Sequence, residues 1–274
     1  MSAWKHRHSD DRVNVGLLGH GYVGQAVAHS HAGDRVVIRD PILGSGSATM
    51  SAIAETDCIY VCLPSPSTRD GSCDSSFLEN ELETLMAQTG MDQKIVICKT
   101  TALPTVYARL HDRWPNIVHV PEFLTAHNHV SSYMSSSYFV LGGSADWCLR
   151  AQDVLQARMP LARDRYVITD IRTAALYKYM MNSYLATKVT FMNEFYDLAR
   201  ALAVDFQDLV TLAGLDPRLG RSHMLVPGPD GRRGWGGACL PKDVSAVIRL
   251  AQEHDLGFEL MCSVSNINKQ HRIQ

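Results

Sequence analysis

Gly19, Gly21 and Gly24 follow an apolar, β-branched run at residues 13–18 and open a helix-compatible run at residues 22–30. Few other spacings restrict a fold so tightly. The first glycine permits a tight turn, the second lets backbone approach a pyrophosphate, and the third lets the helix pack closely on the strand. The free N–H groups of the helix then face the phosphates. The turn, completed by Tyr22 and Val23, predicts the first β-turn-α unit of a Rossmann-type sheet with a dinucleotide as ligand. A purely structural turn is the alternative, and the strand before and helix after it weigh against that.

Runs at residues 13–18, 35–38, 58–63, 94–99, 117–120 and 138–142 read as strands alternating with helical stretches, the grammar of a parallel sheet with helical crossovers. The segment between Asp40 and Asp57 contains Gly44-Ser45-Gly46-Ser47 and leaves room for a helix of about two turns at most. Asp40 ends the second strand, where a carboxylate would bond both ribose hydroxyls and repel a 2′-phosphate. NAD is therefore favoured over NADP, although Arg39 beside it pulls the other way. Pro64 leaves the third strand at its C-terminal end and would wall the cofactor.

After Asp170 the pattern changes. Residues 170–203 contain neither Gly nor Pro and repeat apolar positions at helical spacing. A helix of that length spans two domains or supports a dimer interface, because alone it has little to bury against. A helix at residues 206–213, a Gly-, Pro- and Arg-rich loop at 214–240, and helices at 241–254 and 258–269 follow. The expected organisation is a flexible tail (1–11), an NAD-binding Rossmann-type domain (12–168) and an all-helical central and dimerisation domain (169–274). The fold class is thus α/β, with a helical domain built on a long central helix, and a homodimer is the simplest assembly.

A formal net charge of −2 with dispersed basic residues argues against nucleic acid or an anionic membrane as partner. No apolar run approaches the ~20 residues of a membrane span. The polar start, with His6 and His8, is unlike a signal peptide, so a cytoplasmic protein is expected. Seven cysteines without a C-x-x-C pair suggest neither a disulfide framework nor a metal site. Cys58, Cys62 and Cys98 lie in strand-like runs and read as buried and inert.

Cys239 has a different setting. A glycine turn, Gly234-Trp235-Gly236-Gly237, delivers it to a helix start marked by Pro241, where the helix dipole and Lys242 would favour a thiolate. An inert cysteine beside a cap is the alternative. Lys178 and Asn182 are four apart and share a helix face, so they can offer an ammonium and an amide to one oxygen. A solvated helix lysine is the commoner reading. Glu122, just after the fifth strand, stands where a general base could act.

These residues carry a resemblance spread over the whole chain. The motifs are the turn at 19–24, Pro64-Ser65-Pro66 followed by Asp70-Gly71-Ser72 and Asp74, Lys99-Thr100-Thr101, and Pro121-Glu122-Phe123-Leu124. They continue with Lys178 and Asn182, Leu185-Ala186-Thr187-Lys188, Asn193-Glu194 and Asp216-Pro217-Arg218-Leu219-Gly220. The last are Val226-Pro227-Gly228-Pro229-Asp230-Gly231, Gly236-Gly237-Ala238-Cys239 and Pro241-Lys242-Asp243. In these the chain resembles the UDP-glucose/GDP-mannose 6-dehydrogenase family.

The resemblance implies oxidation of a nucleotide-sugar C6 alcohol to a carboxylate, with two NAD molecules used in succession and a thioester on Cys239. Lys178 and Asn182 would stabilise the C6 oxyanion, Asp243 would position water or handle protons, and Glu122 with Thr101 would assist hydrolysis. Thr101 would also line the cofactor site. Phe123, Leu124 and Gly236 would contact substrate, and Arg218 would reach a neighbouring subunit's site. Leu103 and Thr105 stand where the family commonly has Pro and Gly, and Ala102 replaces a β-branched residue.

The family's C-terminal nucleotide-sugar-binding domain has no counterpart in these residues, so the resemblance describes a short form. Either the sequence is part of a longer one, or a partner chain supplies that wall, or the substrate is smaller or held differently. Two other activities stay open: a two-electron dehydrogenase of another sugar or nucleoside alcohol, and a non-catalytic nucleotide-binding subunit. Retention of Cys239, Lys178, Asn182 and Asp243 together argues against the second.

Overall fold

The computed structural model describes residues 12–273, and the flexible tail expected at residues 1–11 lies outside the described residues. Strand β1 (Asn14–Leu18) and helix α1 (Tyr22–Ser30) bracket the glycine turn, and β2 (Arg35–Arg39) pairs in parallel with β1. The next crossover holds a 3-10 segment (Pro41–Gly46) and a five-residue helix α2 (Met50–Ala54), started by the Thr49 hydroxyl accepting from the Ala52 N–H. Its shortness follows from the Gly-Ser content read in the sequence. Then come β3 (Cys58–Val61), α3 (Ser76–Met86), β4 (Ile95–Cys98), α4 (Pro104–Arg113) and β5 (Ile117–His119). The sheet region closes with α5 (His129–Met134), β6 (Phe139–Gly142), α6 (Ala145–Gln156) and β7 (Tyr166–Thr169).

The strand order is β2-β1-β3-β4-β5-β6-β7. The chain goes from β1 to β2 on one side and then crosses to β3 on the other, so the C-terminal end of β1 is a topological switch point. Strands β3, β4 and β5 are buried along their whole length, as strands covered on both faces must be. One face carries Val15, Leu17, Tyr60, Ile97 and Leu141 against α1 and α6 residues such as Val27 and Val154. The other carries Leu18, Ile59, Val61 and Val96 against Ile53, Leu78, Leu82 and Tyr107.

Two features depart from the six parallel strands read in the sequence. β6 pairs antiparallel to β5 through His119 and Gly142, and a seventh strand, β7, lies parallel to β6. β7 is four residues long at the sheet edge, with Val167 and Ile168 both exposed, so no alternation marks it.

Helix α7 (Ile171–Ala201) runs for 31 residues. Its start is fixed by the Asp170 carboxylate, which accepts from the N–H groups of Arg172 and Thr173. Helices α8 (Phe206–Ala213), α9 (Leu240–Glu253) and α10 (Glu259–Ile273) follow.

The chain divides into two compact units. One holds the residues up to Pro66 with Asp74–Lys178, and the other holds Ser67–Cys73 with the residues from Tyr179 onward. The division falls within α7. In the second unit, Ala186, Trp235, Val244, Met261 and Val264 form one apolar cluster, and Met192, Ala199, Phe206 and Met224 another. The short segment Ser67–Cys73 closes on itself through a Ser67–Cys73 bridge and a Thr68 N–H to Ser72 oxygen bond.

Candidate active site

At the glycine turn the three glycines have separate physical reasons. Gly19 has φ +88°, and a Cβ there would collide with the carbonyl oxygen of Cys62; a Cβ on Gly24 would collide with the carbonyl oxygen of Gly19. Gly21 has φ −70° and precedes α1, and a Cβ there would meet nothing within 4 Å. Nothing inside the protein requires glycine at 21, so the open space above it suits a ligand lying close to backbone. Asp40, buried at the end of β2, accepts from the His20 N–H at 2.6 Å and the Ile42 N–H at 2.9 Å. Those bonds fix its carboxylate beside the turn and leave lone pairs for ribose hydroxyls. Tyr22 is exposed, its ring 5.2 Å from that of His129, and Val23 packs on the sheet core. Pro64 is exposed and Thr101 half-buried, each just past the C-terminal end of its strand. Together these groups fit a dinucleotide.

Glu122 follows β5 and is buried. Lys178 donates to its backbone oxygen at 2.6 Å and to its carboxylate at 3.3 Å, and the Leu124 N–H donates to the other carboxylate oxygen at 2.8 Å. The same ammonium lies 5.2 Å from the centre of the Phe123 ring, which stacks on Tyr138 and meets Tyr177 edge-on. A second buried lysine was given no role by sequence reasoning. Lys99, at the end of β4, donates to the Val120 oxygen at 3.2 Å and faces the Tyr133 ring at 5.0 Å. Burial lowers its pKa to about 8, against the opposing pull of Cys62 and Glu122. Thr100 beside it ties β4 to β3, accepting from the Leu63 N–H at 2.9 Å and donating to the Leu63 oxygen at 3.1 Å.

In the second unit Cys239 immediately precedes α9, and its backbone oxygen accepts from the Asp243 N–H at 2.9 Å, the first bond of the helix. Of the seven cysteines Cys239 is exposed, Cys262 half-buried and the other five buried. Burial pushes the Cys62 thiol up to about 12 and raises that of Cys98, which keeps both protonated and unreactive. Asp243 is fully buried one turn beyond Cys239; it accepts from the Asn182 amide at 2.5 Å and from the Lys242 ammonium. Gly236 lies against Arg272, whose Nη2 would be 2.7 Å from a Cβ there. Arg218 is exposed and folded back on Asp216, with Nη2 to Oδ2 at 2.5 Å.

The structure therefore pairs Glu122 with Lys178 in one unit and Asn182 with Asp243 in the other. Sequence reasoning quoted Lys99 and Thr100 only as part of a motif and gave no role to them, to Asn268 or to Arg272. Asn268 carried only a weak local signal, a poor helix former next to the last residue of the helix predicted at 258–269. Among the described residues, no group of three His, Cys, Asp or Glu could hold a metal ion, and no helix is long and apolar enough to cross a membrane.

Residues 39–158 match the sequence profile of the UDP-glucose/GDP-mannose dehydrogenase family, NAD binding domain, and residues 172–270 match that of its central domain. The first match begins after the glycine turn, whose assignment rests on geometry. UDP-glucose 6-dehydrogenase of Rickettsia conorii is 31% identical over 225 residues, covering 80% of this chain and 50% of the relative. The chain spans about half the length of the curated relatives it matches. A UDP-glucose dehydrogenase from the hyperthermophilic archaeon Pyrobaculum islandicum superposes with a TM-score of 0.80 at 25% identity, over 96% of this chain and 69% of that one. The 3-hydroxyisobutyrate dehydrogenase of Mycobacterium tuberculosis superposes over 96% of both chains with a TM-score of 0.72. At 17% identity that likeness concerns the fold alone.

Proposed function

The chain belongs to the UDP-glucose/GDP-mannose dehydrogenase family, and from that premise we propose that it takes part in NAD-dependent oxidation of a nucleotide-sugar C6 alcohol to the uronic acid, with Cys239 as covalent nucleophile. The observation that carries this reading is the second unit's own chemistry: an exposed Cys239 at the head of α9, and a buried Asp243 one turn on, held by Asn182.

Gly19, Gly21, Tyr22, Val23, Gly24, Asp40, Pro64 and Thr101 would hold NAD, which when bound accepts one hydride from C6 per molecule. Lys178 and Asn182 would stabilise the C6 oxygen as the carbon loses its hydride and the alcohol its proton, which Asp243, held by Asn182, would take up directly or through water. The Cys239 sulfur then adds to the aldehyde carbon, and the thiohemiacetal oxygen keeps the same two donors. After the second hydride is lost, a thioester remains. Glu122 would take a proton from water, with Thr101 and Asp243 orienting it, and attack of the water breaks the C–S bond to release carboxylate and thiolate. Covalent capture keeps a reactive aldehyde from leaving between the two oxidations. Phe123, Leu124, Gly236 and Arg218 would contact the substrate.

A homodimer fits α7, where Met180, Tyr184, Phe191, Phe195 and Leu198 are exposed and share one helix face.

The test is the stoichiometry of NADH formed per nucleotide sugar consumed. Two per sugar, with acid formation abolished in Cys239→Ala, supports the reading. One per sugar makes the protein a two-electron dehydrogenase. Full acid formation by Cys239→Ala overturns the covalent route.

A further inference from the structure

The turn that precedes Cys239 is held from α10. The Trp235 N–H donates to the Asn268 Oδ1 at 2.7 Å, and the Asn268 Nδ2 donates to the Trp235 oxygen at 3.0 Å. One side-chain amide thus satisfies both backbone groups of one residue, as a neighbouring strand would, and both residues are buried. The Trp235 indole N–H donates to the Thr190 Oγ1 at 2.9 Å, and the Gly234 N–H donates to the Asn193 Oδ1 at 3.1 Å. Gly234 has φ +69°, and the Asn268 Oδ1 occupies the place of its missing Cβ. Beyond Trp235, Arg272 covers Gly236, its Nη1 anchored on Asp230 at 2.7 Å.

Between this fixed point and the first turn of α9 lie Gly236, Gly237 (φ +77°) and Ala238. Two glycines leave that backbone soft, so its course depends on how firmly its ends are held. We infer that Asn268 is a positioning residue that fixes the turn through the Trp235 backbone and so sets where the Cys239 sulfur lies relative to the N–H groups opening α9. The consequence for reactivity rests on the reading of Cys239 as the reacting thiol. The mechanism is physical: a thiolate gains from a helix N-terminus only while it stays within the first turn.

The experiment follows alkylation of Cys239 by iodoacetamide as a function of pH, read by mass spectrometry on the peptide containing it. The protein is intact and no turnover is involved. Asn268→Ala is expected to move the alkylation midpoint up by about one pH unit, which slows alkylation about tenfold at neutral pH. Thr190→Val, which removes the indole's hydrogen bond together with the hydroxyl's own bond to the Ala186 oxygen within α7, is expected to move it the same way by a smaller amount, and it serves if Asn268→Ala does not fold. A purely structural role lowers the melting temperature and leaves the midpoint in place. A folded variant of either kind with the wild-type midpoint overturns the inference. A shifted midpoint in a protein that oxidises no sugar keeps the clamp and discards the proposed reaction.

Discussion

The Lys178 ammonium donates to both the backbone oxygen and the carboxylate of Glu122, at 2.6 and 3.3 Å, with both side chains almost wholly out of water. A buried ion pair gives little net stability against an apolar replacement, yet removing one partner costs about 3–5 kcal/mol because the other is left uncompensated. Such a pair is hard to explain as scaffolding and easier as chemistry.

Lys178→Met is therefore expected to lower turnover by about 10²–10³-fold and stability by about 3 kcal/mol. Lys178→Met combined with Glu122→Gln removes both charges and recovers most of the stability but none of the turnover. Chemical denaturation and NADH formation on the two variants check this. A double variant as unstable as the sum of its singles would show that the pair does not act as a unit.

The glycine turn separates folding from binding. Gly24→Ala drives a Cβ into the Gly19 carbonyl and is expected to cost about 1–3 kcal/mol of stability. Gly21→Ala meets open space at an ordinary φ of −70°, so its melting temperature should match wild type while NAD affinity falls about tenfold or more. Thermal melts and NAD titration distinguish them; unchanged NAD affinity in Gly21→Ala would remove the turn from the cofactor site.

Much of this was legible because it is local. Gly19, Gly21 and Gly24 act through their own backbone and immediate neighbours, and Pro241 marks the start of α9 within two residues of Cys239. The parts that escaped are tertiary. Glu122 and Lys178 attract notice separately, but nothing local says that residues 56 apart in sequence share a proton donor and acceptor. Asn268 meets Trp235 across 33 residues, and its amide reads locally only as a weak helix former. Lys99 looks like any strand-end lysine until two aromatic rings close over it. β7 exists because β6 offers it an edge, a preference its own four residues do not encode.

Asp243 and Asn182 supply a reciprocal test. The pair is buried at 2.5 Å with the carboxylate as acceptor. Asp243→Asn faces one amide with another and is expected to lower stability by about 1–3 kcal/mol and turnover by about 10²-fold. Asn182→Asp together with Asp243→Asn exchanges donor and acceptor. The exchange should restore roughly half of the lost stability without restoring turnover, as measured by denaturation and NADH formation. If both recovered, the order of the two groups would be irrelevant to the chemistry.

His119 gives the fold an acid limit. Its ring stacks on Tyr107 at 4.0 Å, and its Nδ1–H donates to the Cys98 oxygen at 3.0 Å. Burial, aided by the Lys99 and Lys178 charges and opposed by the Cys98 bond, lowers its pKa from 6.5 to about 3. Between those values the unfolded chain binds a proton that the folded chain refuses, so stability rises with pH and is lost as pH falls through that window. The slope is about 1.4 kcal/mol per pH unit. His119→Phe keeps an aromatic ring beside Tyr107 but cannot titrate. It is expected to be about 1 kcal/mol less stable at neutral pH, from the lost hydrogen bond, and to lack this part of the acid slope. Urea denaturation of both proteins at several pH values across the window measures the difference. Parallel slopes would mean that this imidazole does not set the acid sensitivity, which would then lie with the carboxylates or with His31, His223 and His271, whose pKa values burial also lowers.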